Sequence, residues 1–392
     1  MSEIADFLIN LISAGKFEDS QKPDIERTKW VSEKLKSIGC ECDFKIFDDT
    51  ANVCATIGNK NAKKSLCFCG HCDVVPARNW TKKISGEIIG NRVYGRGAVD
   101  MLGEIACWFF ALKCLKEKSE LLNNIKIITL LTGDEEGAGI NGTDKMVKYL
   151  VNKGENIDAC IVGEPTSDYY DLKSHKDVDN CKLNGLCYSR GGSFHFWITV
   201  KGKSGHVAYT GEFDNPITKA VRLCDRLKKI SFTEFDEKMT NLEIVEFNAV
   251  NNTDNVILDD VKIHGNVRFF CNKNRNIDYY NIIKQKIENE CQAVLFDRYN
   301  ARYQCDRCGY TTDVNDDFLQ LAMSCFKRYN NESKFVVVRA CTDGEYMTKI
   351  CKSVCEIGLK CKMMHQIDEY TTIEDLNDLT NLYKEIITEY AK

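Results

Sequence analysis

Proline is scarce in this chain, with 4 residues in 392. That scarcity leaves no room for a proline-rich, disordered arm. Long uninterrupted apolar runs are also missing, and the mean hydropathy of −0.34 argues against a membrane span. Positive charge is not in excess: the formal net charge of −5 and the pI near 5.8 give no sign of a nucleic-acid-binding face. The opening stretch "MSEIADFLINLISAGKFEDS" lacks the cationic start and long apolar centre of an export signal. It reads as a short amphipathic helix with acids in its first turn, so a cytoplasmic protein is expected. Cysteine, by contrast, is plentiful. An odd count of 21 in a reducing compartment argues against a disulfide framework. Most of these residues read as small buried apolar side chains, as in "LCFCGHCD" and "CWFFALKCL". The pairs in "CDRC" (Cys305, Cys308) and "CKSVC" (Cys351, Cys355) have irregular spacing and different settings, which disfavours a four-thiolate zinc site.

A chain of 392 residues is too long for one ordinary core, so two domains are expected. The first part alternates helix and strand signals. "DIERTKWVSEKLKSIG" has apolar residues at helical spacing and a closing Gly39. Strand candidates follow at 65–69, 125–132 and 158–163, with the helix pattern "GEIACWFFALKCLKEK" between the first two. This order predicts an α/β fold with a mostly parallel sheet, in which binding groups collect outside the carboxyl ends of the strands. From about residue 190 the pattern changes. "SFHFWITVKG", "NPITKAVRLCDRLKKI", "LEIVEFNAV", "VKIHGNVRFFC", "NIDYYNIIKQKIENECQAV" and "LFDRYNARYQ" read as β-α-β-β-α-β, the ferredoxin-like plan. The expected organisation is therefore a discontinuous catalytic domain (1–189 and 301–392) with a smaller α+β domain (190–300) inserted in it.

Chemistry-bearing residues cluster where the strands of the larger domain end. "IKIITLLTGDEEGAG" closes its most hydrophobic strand with three adjacent carboxylates, Asp134, Glu135 and Glu136. Adjacent like charges repel, and partial burial worsens that, unless something positive sits among them. "SLCFC" runs into His71 and Asp73, and "DACIV" runs into Glu164. Asp100 sits in the glycine-flanked loop "GRGAVDMLGE", and "GLKCKMMHQIDE" presents His365 after another extended run. Singly, each has an ordinary reading: a hydrogen-bonded histidine, a helix N-cap, a solvated acidic loop. Together they form a nitrogen and oxygen donor set for a borderline or hard divalent cation, which would reverse the repulsion among the acids. On alternating backbone geometry Glu135 and Glu136 point apart, so one can ligate while the other faces substrate. Asp73, two residues after His71, could accept the imidazole's other N–H.

These residues sit in "GHCDVVP", "VYGRGAVDMLGEIA", "LLTGDEEGAG", "CIVGEPT", "KGKSGHVAYTGEFDNPI", "NVILDDVKIHGNVRF" and "GLKCKMMHQIDEY". In that order they resemble the motifs of the dinuclear-zinc amidohydrolases, over nearly the whole chain. Within that superfamily the combination "RGGS", "GHVAY…DNPI" and "MHQIDE" resembles the succinyl-diaminopimelate desuccinylases. The resemblance implies two Zn²⁺ per chain, with Co²⁺ or Mn²⁺ as substitutes. Asp100 would bridge them, His71 and Glu164 completing one and Glu136 with His365 the other. Glu135 would be the general base, Asp73 would orient His71, and His206 of "SGHVAY" would steady the oxyanion in a partner subunit's site. Arg190, Ser193, Asn255, Arg268 and Thr342 match substrate-contacting positions. A homodimer through the inserted domain and a small N-acyl amino acid substrate follow from the same resemblance, with no nucleic-acid or membrane partner.

The implied reaction is hydrolysis of N-succinyl-LL-2,6-diaminopimelate, a step of lysine and cell-wall precursor synthesis. Several positions depart from the desuccinylase pattern. In "RACTDGEY", Glu345 replaces an arginine, and Arg339 and Ala340 replace glycines. Gly191 replaces a second arginine, Leu258 and Thr210 replace prolines, and Leu102 replaces a lysine. The segment 167–187 is longer than usual. The metal and base positions are intact while the anion-binding ones are partly lost. A related dipeptidase, carboxypeptidase or N-acyl amino acid deacylase is therefore the alternative within enzymes. A degenerate, non-catalytic metal-binding or dimeric interaction protein is the alternative from another class.

Overall fold

The computed structural model describes residues 2–15, 25–77, 79–117, 119–168, 182–235, 239–271 and 278–392. Most of the long segment 167–187 lies outside the described residues. The chain divides into two compact units: Met1–Ser189 with Thr312–Val338 and Thr342–Lys392, and Arg190–Thr311 with Arg339–Cys341.

The first unit is built on a mixed sheet. Its strands run in the order Glu41–Phe47, Thr50–Gly58, Ile125–Thr132, Lys64–His71, Ile157–Val162, Cys351–Glu356 and Gly185–Arg190. The four from Ile125–Thr132 to Cys351–Glu356 pair in parallel, as the alternation of strands and helices predicts. The flanks are antiparallel. The Glu41–Phe47/Thr50–Gly58 hairpin was not among the sequence-predicted strands. Its outer strand, Glu41–Phe47, is half-exposed and carries charges, so no buried apolar run marks that strand, while the inner one, Thr50–Gly58, is buried over its first six residues.

The helix Leu102–Lys116 covers one sheet face and is buried along most of its length, which explains its weak amphipathic pattern. Trp108 stacks on Phe68 of the sheet at 4.8 Å, packs against Tyr383 of the final helix Ile373–Tyr390, and donates its indole N–H to Thr129 Oγ1 at 2.8 Å. Phe109 of the same helix stacks on Phe7 of the first helix, Glu3–Ser13. Burying such aromatic side chains is worth roughly 1.5–3 kcal/mol each. The helix Ile25–Ser37 ends at Gly39, whose φ of +94° lets the Gly39 and Cys40 N–H groups reach back to the carbonyls of Lys36 and Leu35. No described helix is long and apolar enough to cross a membrane.

The second unit is a four-stranded antiparallel sheet in the order Asn241–Asn248, Asp260–Phe269, Gly192–Lys201, Tyr299–Arg307. The helices Pro216–Leu227 and Tyr279–Leu295 complete a β-α-β-β-α-β chain order. Phe194, Phe196, Ile198 and Val200 alternate into the core, while Ser193, His195, Trp197 and Thr199 occupy the other face. Gly265 is required opposite Phe196, because a Cβ there would lie 2.0 Å from the ring.

Candidate metal centre

Three parallel strands deliver the first half of the site. In register, His71 pairs with Thr132 and Cys69 with Val162, so the strands end side by side. His71 is the last residue of its strand, Glu135 and Glu136 follow the second by three and four residues, and Glu164 follows the third by two. Asp100 arrives from the loop before the helix Leu102–Lys116. His365 arrives from a turn after the 3-10 segment Cys361–Met363, with φ +60°, rather than directly from an extended run.

These side chains converge. His71 Nε2 lies 3.2 Å from Asp100 Oδ1 and 3.7 Å from Glu164 Oε1. His365 Nε2 lies 3.0 Å from Asp100 Oδ2 and 2.8 Å from Glu136 Oε1. Asp100 thus turns one oxygen towards each imidazole. Three groups, His71/Asp100/Glu164, Asp100/Glu136/His365 and His71/Glu135/Glu136, each offer ligand atoms within 4.8 Å of one another. None of these groups contains a cysteine.

The acids of the glycine-flanked cluster divide their work. Asp134, at φ +68°, accepts hydrogen bonds from the N–H groups of Ala138, Ile140 and Asn141 at 2.8–3.0 Å, and so ties down its own loop. Glu135 and Glu136 remain for the cluster. Asp73 acts differently from the simplest expectation. Its main-chain carbonyl, 3.0 Å from His71 Nδ1, is the nearer acceptor, while its carboxylate Oδ1 is 3.6 Å away. Nδ1–H donation to the carbonyl leaves Nε2 as the ring nitrogen that faces Asp100 and Glu164. The Asp73 carboxylate Oδ2 instead accepts the Glu136 N–H at 2.9 Å.

The electrostatics fit a cation. Burial pushes the Glu135 carboxyl well above the usual carboxylate range, with Asp343, Glu164 and Glu136 adding to it against His71. Burial likewise carries Asp73 up to about 6, against the pull of His71. Burial pulls His365 down, yet Asp100 and Glu136 outweigh it and raise the imidazole to about 10. Glu135 and Asp73, raised by burial, beside an imidazole raised by its acid neighbours make a mixed donor set without a charge balance of its own. A divalent cation supplies that balance by favouring carboxylates and neutral imidazoles together.

Residues that the sequence reading left without a role support the cluster. Glu369, fully buried, accepts from Arg96 Nη1 at 2.6 Å and from the N–H groups of Gly97, Val99 and Asp100 at 2.7–3.2 Å. It shapes the loop that presents Asp100, from 269 residues away. Its only sequence signal was its place at the end of "MHQIDE". Arg27, also fully buried, donates to the Cys72 carbonyl at 2.7 Å, between His71 and Asp73. Thr342, by contrast a substrate-contacting position in the sequence resemblance, is buried, donating to Glu356 Oε1 at 2.6 Å and accepting the Gly344 N–H at 3.2 Å.

In the second unit the sequence-predicted contacts form two pairs. Ser193 and Arg268 are register partners on neighbouring strands. Ser193 Oγ lies 3.3 Å from His195 Nε2 and accepts from Asn266 Nδ2 at 3.1 Å, while Arg268 Nη1 reaches Cys341 Sγ at 3.7 Å. Exposed His206 has its Nε2 3.4 Å from Asn255 Nδ2, in the two-residue ladder that pairs Gly205–His206 with Val256–Ile257. Arg190 is buried at the start of the unit.

Residues 67–389 match the profile of peptidase family M20/M25/M40. The chain is 33% identical over 396 residues to a succinyl-diaminopimelate desuccinylase of Rickettsia bellii, covering 98% of this chain and 95% of that one. Its fold is similar to an M20 family metallo-carboxypeptidase, Sso-CP2, of Sulfolobus solfataricus (TM-score 0.73, 18% identity, 100% of both chains). It is also similar to the YXEP protein of Bacillus subtilis, described as a dinuclear metal-binding peptidase from the M20 family (TM-score 0.70, 16% identity, 99% and 98% of the chains).

Proposed function

The chain belongs to peptidase family M20/M25/M40, and from that membership we propose that it hydrolyses the amide bond of N-succinyl-LL-2,6-diaminopimelate, releasing succinate and LL-2,6-diaminopimelate. It is a metal-dependent hydrolase of a small molecule. The observation that carries the proposal is Asp100, with Oδ1 facing His71 at 3.2 Å and Oδ2 facing His365 at 3.0 Å. A carboxylate so divided is suited to bridge two divalent cations, one with His71 and Glu164, the other with Glu136 and His365. Nitrogen and oxygen donors suit zinc, with cobalt or manganese as substitutes. When bound, such a metal pair polarises the amide carbonyl and makes water acidic enough to lose a proton near neutral pH.

The chain's own groups do the rest. Glu135, kept protonatable by its buried setting, takes the proton from the attacking water and passes it to the departing amine. Asp73 holds His71 through its carbonyl and Glu136 through its carboxylate. His206 would donate to the developing oxyanion in a partner subunit's site, and Arg190, Ser193, Asn255, Arg268 and Thr342 would contact substrate. The proposed homodimer uses the second unit, whose edge strand Asn241–Asn248 exposes Val245 and Phe247. A reducing cytoplasm suits the chain, since all the described cysteines are thiols.

Zinc-loaded protein should release amine from N-succinyl-LL-2,6-diaminopimelate. Glu135→Gln should retain metal and lose turnover, and full activity in that variant would remove Glu135 as the base.

Two positions favour a second reading, an N-acyl amino acid deacylase or dipeptidase with a different acyl preference. Gly191 replaces an arginine of the desuccinylase pattern, and a Cβ there would lie 2.7 Å from the Arg339 carbonyl oxygen, leaving no room for a side chain. Glu345 reverses the charge at a second arginine position. A panel of N-acetyl, N-succinyl and dipeptide substrates separates the readings. Glu345→Arg should raise selection for the succinyl group if that position still reads a carboxylate.

A further inference from the structure

We propose that Cys305 and Cys308 form a reversible dithiol–disulfide site that exchanges with small disulfides in solution. Their Sγ atoms lie 3.6 Å apart, and neither is in a disulfide. Sulfur atoms in that contact need close only a further ~1.5 Å to bond, since a disulfide is ~2.05 Å long. Side-chain rotation supplies such a movement where the backbone already bends.

The backbone does bend here. The register of the strand Tyr299–Arg307 against Gly192–Lys201 shifts between Cys305 and Arg307, a bulge that re-aims the side chains beyond it. Gly309 follows Cys308 at φ +68°, turning the chain. A Cβ at Gly309 would meet the Arg190 carbonyl oxygen at 2.5 Å, so only glycine fits. A C-x-x-C spacing with a bulge inside it and a glycine turn after it brings residues three apart face to face.

Exposure sets the order of events. Cys308 is exposed and Cys305 half-buried, whereas most described cysteines are buried within the two units. The Cys308 thiolate attacks a sulfur of the small disulfide, forming a mixed disulfide and releasing one small thiolate. The Cys305 thiolate then attacks Cys308 Sγ, closing the protein disulfide and releasing the second. Two protein thiols are oxidised, one small disulfide is reduced to two thiols, and the two thiol protons pass to the released thiolates. A third thiol, Cys271, donates to the Cys308 carbonyl at 3.0 Å and is the competitor the geometry must exclude. The closed bond would brace the strand end at which Arg307 pairs with Ser193.

The sequence makes the test clean. Arg307 lies between the two cysteines, so trypsin cleaves the segment into Tyr303–Arg307 and Cys308–Lys327, which stay joined only through a disulfide, and fragmentation of the linked pair distinguishes Cys308 from the buried Cys325 in the second peptide. The full-length protein, metal-loaded, is equilibrated in glutathione buffers of stepped reduced-to-oxidised ratio, quenched with an alkylating agent and digested without reductant. The expected result is the loss of two alkylatable thiols in one step, with the Cys305–Cys308 peptide appearing and reverting under reduced glutathione. Cys305→Ser should stop at a glutathione adduct on Cys308, Cys308→Ser should give neither adduct nor linked peptide, and Cys271→Ser should behave as the parent. Alkylation of both thiols at every ratio, a stable glutathione adduct in the parent, or linkage of Cys308 to Cys271 would each overturn the proposal.

Discussion

The first unit holds most of its candidate site residues buried and in mutual contact, whereas the second divides its own between buried Arg190 and Ser193 and exposed His206. In the first, His71, Asp73, Asp100 and Glu164 are buried, sit at the ends of adjacent parallel strands or in a loop pinned by Glu369, and touch one another. In the second, His206 is exposed on a two-residue ladder, and Ser193 and Arg268 lie across a sheet face. Charges inside a core must be neutralised by neighbours, so a buried polar cluster over-determines its own geometry. An exposed side chain is solvated whatever its neighbours do, and its position carries less information. The first unit accordingly shows its chemistry alone, whereas the second offers candidates whose role is defined by what binds them.

That contrast can be broken by variants that separate metal content from turnover. The largest expected effect is Glu135→Gln, which should lower kcat by roughly 10²–10⁴-fold while elemental analysis still finds metal. Next comes His206→Ala, which should cut kcat by about 10²–10³-fold, the usual loss for one oxyanion donor, and leave metal content unchanged. Loss of metal in that variant would mean the two units do not divide their tasks as described. Glu369→Ala should do the reverse. Removing the acceptor for Arg96 and three N–H groups should weaken metal binding about 10–100-fold in a chelator competition.

The smallest effect concerns Glu104, buried beside the site with Oε1 accepting the Leu359 N–H at 2.8 Å. Burial pushes its carboxyl well above the ordinary 4.5. A group raised in the folded state contributes stability that is complete below its unfolded value and lost as pH rises through the folded one. Glu104→Gln, neutral throughout, should therefore gain stability relative to the parent as pH rises above 4.5, read as denaturation midpoints across pH. A parallel pH dependence in both proteins would show that Glu104 is not the titrating group.

The strand ends, the acidic cluster and both histidines are legible in the sequence because apolar runs closed by glycine, acid and imidazole are local patterns. The hairpin strand Glu41–Phe47 is not, because its mixed polarity blends with loop sequence. Nor are the roles of Glu369 and Arg27, whose partners are 269 and 45 residues away. Asp134 could not be told from Glu135 and Glu136 by composition. Only its left-handed backbone, which folds the carboxylate back onto three N–H groups of its own loop, separates them.

Local order along the chain was enough to establish the kind of fold and the stock of ligand-type residues, since strand and helix periodicity and residue chemistry are properties of neighbours in sequence. Which oxygen of Asp100 faces which histidine, that Asp73 serves through its carbonyl, and that Cys305 meets Cys308 across a bulge were settled by packing alone. Those outcomes depend on distances of a few tenths of an ångström between residues far apart in the chain, set by the register of the sheets and the close packing around them.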